Sequence, residues 1–182
     1  MSYPPTDYGS RRPVFMGHDT INPIVAYSDI NILAASFNGN FSALIQPDVS
    51  RNLIATKAGI AGAGGSVTVT GTDQFGQVRV CTYTFPGGAA TYVLPCIFST
   101  INVTGIVIAG LTAGDTISLG TGNKLGLSNK IYAGAVKKVT KNGVGNYTNY
   151  VEDAVYHGVT MNDNIVAADI YQIVFFSGIG TP

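Results

Sequence analysis

Alternating apolar and polar positions dominate the middle of this chain. Across Ser66-Val67-Thr68-Val69-Thr70-Gly71-Thr72, Val67 and Val69 share one face and Thr68 and Thr70 the other, the two-residue period of a half-buried strand. Asp73-Gln74-Phe75-Gly76 is turn-forming, and alternation resumes over residues 77–85, with Val78 and Val80 facing opposite to Arg79 and Cys81. Two such runs around a Gly-containing turn predict a hairpin, which Pro86-Gly87-Gly88 ends. Thr116-Ile117-Ser118-Leu119 alternates again behind Ala113-Gly114-Asp115, whereas the unbroken Ile106-Val107-Ile108-Ala109 predicts a fully buried strand.

Shorter strands are expected at residues 41–45, 51–56, 92–94, 97–101, 135–140, 154–160 and 165–170. The most β-prone run, Tyr171-Gln172-Ile173-Val174-Phe175-Phe176, is expected to close the fold. Residues 58–65, rich in Ala and Gly, read as a flexible connection or a strand in tight backbone contact. Helix is expected at most as one turn near Val151-Glu152-Asp153. Strands roughly every 8–12 residues with Gly-rich turns predict an all-β fold, a β-sandwich or jelly-roll-like barrel over residues 31–182.

Residues 1–30 carry neither period. Pro4, Pro5, Pro13 and Pro23 interrupt them, and Gly9 and Gly17 loosen them, so they read as an extended N-terminal arm outside the core. The arm is nevertheless rich in large apolar groups: Tyr3, Tyr8, Phe15, Ile21, Ile24 and Tyr27 are its candidate interface residues.

Composition sharpens the β reading. Glu152 is the single glutamate, unusual for a chain with ordinary helices, and there are 23 glycines. Charged residues make up 11% of the 182 against a usual proportion of about 25%, so the surface must be dressed mainly in Thr, Ser, Asn, Gly and Tyr. Such a surface suits a chain crowded against partners. Formal net charge is zero, and Arg11-Arg12 and Lys137-Lys138 with Lys141 are too short to track phosphates, which argues against nucleic-acid binding. Apolar runs stop well short of the ~20 residues of a membrane span, and the opening residues lack a basic-then-apolar leader, so an unprocessed cytosolic start is expected.

The chemistry-bearing residues are sparse. Cys81 and Cys96 read as two buried reduced thiols, which could bridge if neighbouring strands set them face to face. His18 beside Asp19 and His157 after Tyr156 read as structural polar residues, and no nucleophile elbow or paired metal-ligand spacing occurs. Gly120-Thr121-Gly122-Asn123-Lys124 lacks phosphate-loop spacing and reads as turn glycines. Asn162-Asp163-Asn164 lacks the full calcium-loop pattern. The reading is of a non-enzymatic protein with no catalytic residues and no cofactor or metal.

Pro47-Asp48-Val49-Ser50-Arg51-Asn52-Leu53, the passage from Val67 to Gln77, the passage from Val107 to Thr116, and Gly120-Thr121-Gly122-Asn123-Lys124-Leu125-Gly126-Leu127 together resemble tailed-phage virion structural proteins, the group of head decoration or cement-like β-sandwiches. The likeness covers roughly residues 40–130, about half the chain. It implies a capsid decoration or cement protein, assembled in the host cytoplasm and located on the virion. Its implied partners are the major capsid protein or neighbouring virion proteins; association with copies of itself, a trimer being favoured, is expected separately from the uncharged β surface, whose strand edges monomers normally protect with Lys and Glu. The alternative is a tail, neck or head-fibre component carrying a carbohydrate- or receptor-binding module, for which Tyr147 and Tyr150, between Asn146 and Asn149, are the candidate aromatic contacts.

Overall fold

Twelve β-strands and no helix account for the regular structure of the residues that the computed structural model describes: 14–23, 33–36, 46–59, 64–112 and 114–178. They are β1 Val14–Ile21, β2 Leu33–Ser36, β3 Arg51–Ala58, β4 Gly65–Thr72, β5 Val78–Phe85, β6 Ala90–Phe98, β7 Thr100–Ala109, β8 Thr116–Gly126, β9 Ile131–Lys141, β10 Tyr150–Asp153, β11 Gly158–Met161 and β12 Tyr171–Gly178. Three antiparallel sheets form: β1-β12-β9, β10-β11-β8-β3-β6, and β5-β4-β7, with β2 added to the first residues of β8. The sheets curl together as a sandwich-like half-barrel, so the all-β prediction holds.

The middle sheet is shared by two cores. Leu53, Ala55, Leu94, Phe98, Ile117 and Leu119 of this sheet pack with Val67, Val69, Cys81, Phe85, Ile101 and Ile106 of β4, β5 and β7. Farther along, Leu125, Val159 and Met161 pack with Ile131, Val139, Ile173 and Phe175 of β9 and β12. The 11-residue β8 runs through both cores and ties them into one structure.

The expected hairpin forms, its register running from Gly65 opposite Phe85 to Thr72 opposite Val78. Its turn is closed by Asp73, whose buried carboxylate accepts hydrogen bonds from the backbone N–H groups of Phe75 (2.8 Å) and Gln77 (2.9 Å) and from Nε of Arg79 (2.7 Å). Burial works against ionisation of Asp73, but these donors outweigh it and hold its pKa below the usual carboxylate range.

Several sequence expectations are corrected. Residues 14–21, read as part of the irregular arm, are strand β1, paired along its whole length with β12. Gly17 reads locally as a strand breaker, yet a side chain there would collide with the Phe175 ring, so its glycine is what lets β1 lie on the sheet. Residues 106–109 are not fully buried: Ile106 is inside, but Val107 is 57% exposed, because β7 is an edge strand with one face in solvent. Gly120 to Lys124 is the interior of β8, not a turn. Residues 151–153 lie in β10 rather than in a helical turn, and residues 154–157 turn the chain into β11. Residues 165–170 form no strand, since Asp169 accepts the N–H of Val166 (2.9 Å) and folds them into a turn in which Ala168 takes φ 68°. The expected strand at 41–45 lies outside the described residues.

Candidate functional site

β9 cannot keep a regular ladder with β12. Phe175 faces Val136 and Val174 faces Lys138, so Lys137 is an extra residue, and a second irregularity lies between Val136 and Ile131, around Gly134 at φ 78°. The bulge turns both Lys137 and Lys138 to the surface, where strict alternation would have sent one inward. Lys137 donates from Nζ to the Gly134 carbonyl (2.6 Å) and lies 5.3 Å from the centre of the Phe176 ring. Glu152 on β10 accepts the Gly134 N–H (2.8 Å), fixing the opposite wall.

Between these walls lies an open groove of about 510 Å³. Tyr147 and Tyr150 both line it, together with Lys137, Lys138, Thr148 and Glu152. The loop carrying Tyr147 is held in place from three sides. Its backbone N–H donates to the Val139 carbonyl (2.8 Å), and its hydroxyl donates to Oδ2 of Asp163 (3.0 Å). Its ring meets that of Tyr171 edge-on, with centroids 6.2 Å apart. Burial, and then the Asp163 carboxylate, push the Tyr147 hydroxyl up to about 12, so it is a neutral donor at physiological pH. Tyr150 is half-buried and packs against the second core.

Asp163 also accepts from the side-chain amide of Asn149, while Asn162 donates to Oδ1 of Asn149 (3.0 Å). Asn162 and Asp163 thus serve as a clasp for the tyrosine loop, while Asn164 accepts from Asn123 of β8 (3.4 Å), and among the described residues no group of three or more His, Cys, Asp or Glu could hold a metal ion. His157 lies in the β10–β11 turn at φ 54°, not on a strand as expected, with Nδ1 against the backbone of Ile131 and its ring edge-on to Phe75.

The other notable surface is the outward face of β5-β4-β7. Val78, Thr72 and Thr100 stand side by side there, as do Thr82, Thr68 and Val107, with Val80 beside Thr70 between them. Val78 is 72% exposed and Val80 61%, and these rows carry no charged side chain. Cross-strand hydroxyl pairs, Thr68 with Thr82 (2.8 Å) and Thr72 with Thr100 (2.6 Å), keep the face regular.

Of the residues expected at an interface, Ile21 is placed on β1 and packs against the second core. Phe15 is on the same strand, with its side chain outside what is described. Tyr3, Tyr8, Ile24 and Tyr27 lie outside the described residues. Tyr147 and Tyr150 are brought together; Glu152 and the lysine pair join them through a bulge that only the double apolar step at Ala135-Val136 hints at in sequence.

No protein-family model matches this chain, and no curated protein or solved structure matches it either.

Proposed function

We propose that this chain is a non-enzymatic structural protein of a tailed-phage virion, a head decoration or cement protein that stabilises the shell by surface contacts. The observation that supports this most is the uncharged Val/Thr face of β5-β4-β7: soluble monomers usually break such faces and edges with Lys and Glu. In this reading, copies associate through that face, a trimer being favoured, and residues ahead of β1, with Tyr3 and Tyr8, reach the major capsid protein or another virion neighbour. Weak contacts per copy become firm attachment through repetition on a symmetric particle. Proteomics of purified particles with copy-number determination tests this reading. A copy number scaling with the shell subunits is expected, and absence from particles would overturn it.

The groove favours a second reading, a tail, neck or head-fibre component that reads carbohydrate. Tyr147 and Tyr150 offer apolar ring surface beside the polar groups of Thr148, Glu152 and the two lysines, a mixture suited to sugar rings. Binding to host-surface oligosaccharides that Tyr150→Ala abolishes, with a low copy number per particle, would select it over the first.

A further inference from the structure

Lys57 and Asp115 are sealed inside one end of the middle sheet. Lys57 is the penultimate residue of β3, where it pairs with Ile117 of β8, and Asp115 stands immediately before β8. Lys57 Nζ lies 3.1 Å from Oδ2 of Asp115, and the two side chains are 0% and 1% exposed. A buried ammonium normally spends its N–H groups on acceptors, yet among the described residues Nζ has no hydrogen-bond partner. Contact without hydrogen-bond alignment leaves the nitrogen resting against the carboxyl group, whose carbon is at most one C–O bond farther away than Oδ2.

The carboxyl group is held for that approach. Its Oδ2 accepts the backbone N–H of Thr112 (3.1 Å), while the Asp115 N–H donates to the Thr112 carbonyl (2.9 Å), so a tight turn fixes the residue at both ends. Its Oδ1 lies over Gly59, where a Cβ atom would collide with it, and at φ 138° that position suits glycine in any case.

We infer that Lys57 and Asp115 condense into an intramolecular amide, a covalent cross-link between the end of β3 and the start of β8. The step balances without a co-reactant. One Nζ proton passes to the carboxylate, leaving an amine and a carboxylic acid, and the nitrogen lone pair attacks Cγ. The Nζ–Cγ bond forms, negative charge gathers on Oδ2 where the Thr112 N–H receives it, and a second Nζ proton moves to the hydroxyl on Oδ1. The Cγ–Oδ1 bond then breaks and water leaves. Ammonium and carboxylate become one amide and one water, with no change of oxidation state. Two circumstances favour the reaction. Groups held in contact react as if at very high concentration, with effective molarities of about 10⁵ M and above for well-oriented pairs. Burial makes the separate charges costly, and condensation removes both at once.

The bond would close a loop of about 60 residues that contains β4, β5, β6 and β7 whole, tying the β5-β4-β7 sheet to the middle sheet by more than packing. In the test, the full chain is purified folded, incubated at physiological temperature, denatured and weighed by intact mass spectrometry. The expected mass is one water below that of the sequence. Trypsin cuts after Arg51, Arg79 and Lys124 but not after an acylated Lys57, so it should release residues 52–79 joined to residues 80–124 as one branched peptide. Lys57→Met with Asp115→Leu replaces the pair by apolar groups and is expected to fold. That variant should show its full mass, migrate behind the parent on a denaturing gel and melt roughly 10 °C lower. A parent of full mass whose Lys57 is cut by trypsin would overturn the proposal. So would a lost water without the branched peptide, since a succinimide at Asp115 also releases one water.

Discussion

Gly122 shows how much one position in β8 decides. Its carbonyl accepts both Nε (2.9 Å) and Nη2 (2.6 Å) of the fully buried Arg51, and its missing side chain leaves room for the amide of Asn52. Asn52 in turn donates to the Leu94 carbonyl (3.1 Å) and accepts the Lys124 N–H (2.8 Å), bridging three strands where the β3 ladders slip register. A methyl group at position 122 lands on that amide, so Gly122→Ala is expected to cost about 1–3 kcal/mol in chemical denaturation. A variant as stable as the parent would show that the strands shift freely there. Carboxylates set the steepest part of the pH dependence. In the folded chain the pKa values of Asp73, Asp153 and Asp169 are lowered: burial opposes this in each case, but the hydrogen bonds each accepts prevail. Their stabilisation is therefore fully present above the unfolded value of about 4 and is lost as pH falls through the lower folded values. Burial also lowers the pKa of His157, so the unfolded chain takes up that proton first; Tm should begin to decline as pH falls below about 6.5 and should fall more steeply below about pH 4. In Asp73→Asn that acid slope should be shallower, and an unchanged slope would remove the hairpin turn from the account.

Among elements, the strands readable in the sequence are those whose local pattern and tertiary use agree. The β4–β5 hairpin and the first half of β8 alternate because one face meets a core and the other meets water. β1 is illegible because its pairing with β12, and the Phe175 ring that demands Gly17, are contributed by residues at least 150 positions away. Gly122 of β8 reads as a turn residue for a similar reason, since the Asn52 side chain it accommodates sits on β3. The tyrosine pair of the groove could be found by its exposed-loop composition, but its acidic and basic walls depend on a bulge with no strong local signal. The edge of β7 carries a device that is equally hidden: Gln46 donates from Nε2 to the Ile101 carbonyl (2.9 Å) and accepts the Ile101 N–H (2.7 Å), so its amide stands where another strand could pair. Truncation separates arm from sheet. Deleting residues 1–13 should leave the β-type circular dichroism and Tm unchanged, whereas deleting 1–23 strips β1 from β12 and removes Ile21 from the second core, and should lower Tm by about 5 °C or more. Equal behaviour of the two truncations would mean that β1 adds nothing to the sheet.

At the scale of the molecule, the question is why a chain with so few charges stays organised. Several of its ionic groups are spent inside: Arg51 with Asp48 (3.4 Å) and Lys57 with Asp115 (3.1 Å) are buried pairs, and Lys124 with Asp153 is nearly so. What faces outward on β5-β4-β7 is hydroxyl and methyl surface, which water tolerates but which a second copy can cover at little desolvation cost. Self-association through this face is the form of the proposed assembly that can be tested without a particle. Val80 and Val107 are the residues to change, because both point away from the core and neither is needed by it. Exposed substitutions of this kind usually alter stability by no more than about 0.5 kcal/mol, so Val80→Lys with Val107→Lys should fold as the parent does. The parent is expected to be an oligomer at micromolar concentration, a trimer being favoured, and the doubly substituted chain a monomer, as read by light scattering. Two lysines on each copy would place like charges against one another at low dielectric, a penalty of several kcal/mol that a modest interface does not survive. A parent that is already monomeric would remove self-association from the proposal, leaving attachment to residues ahead of β1. An oligomer that tolerates both lysines would move the interface to another part of the surface.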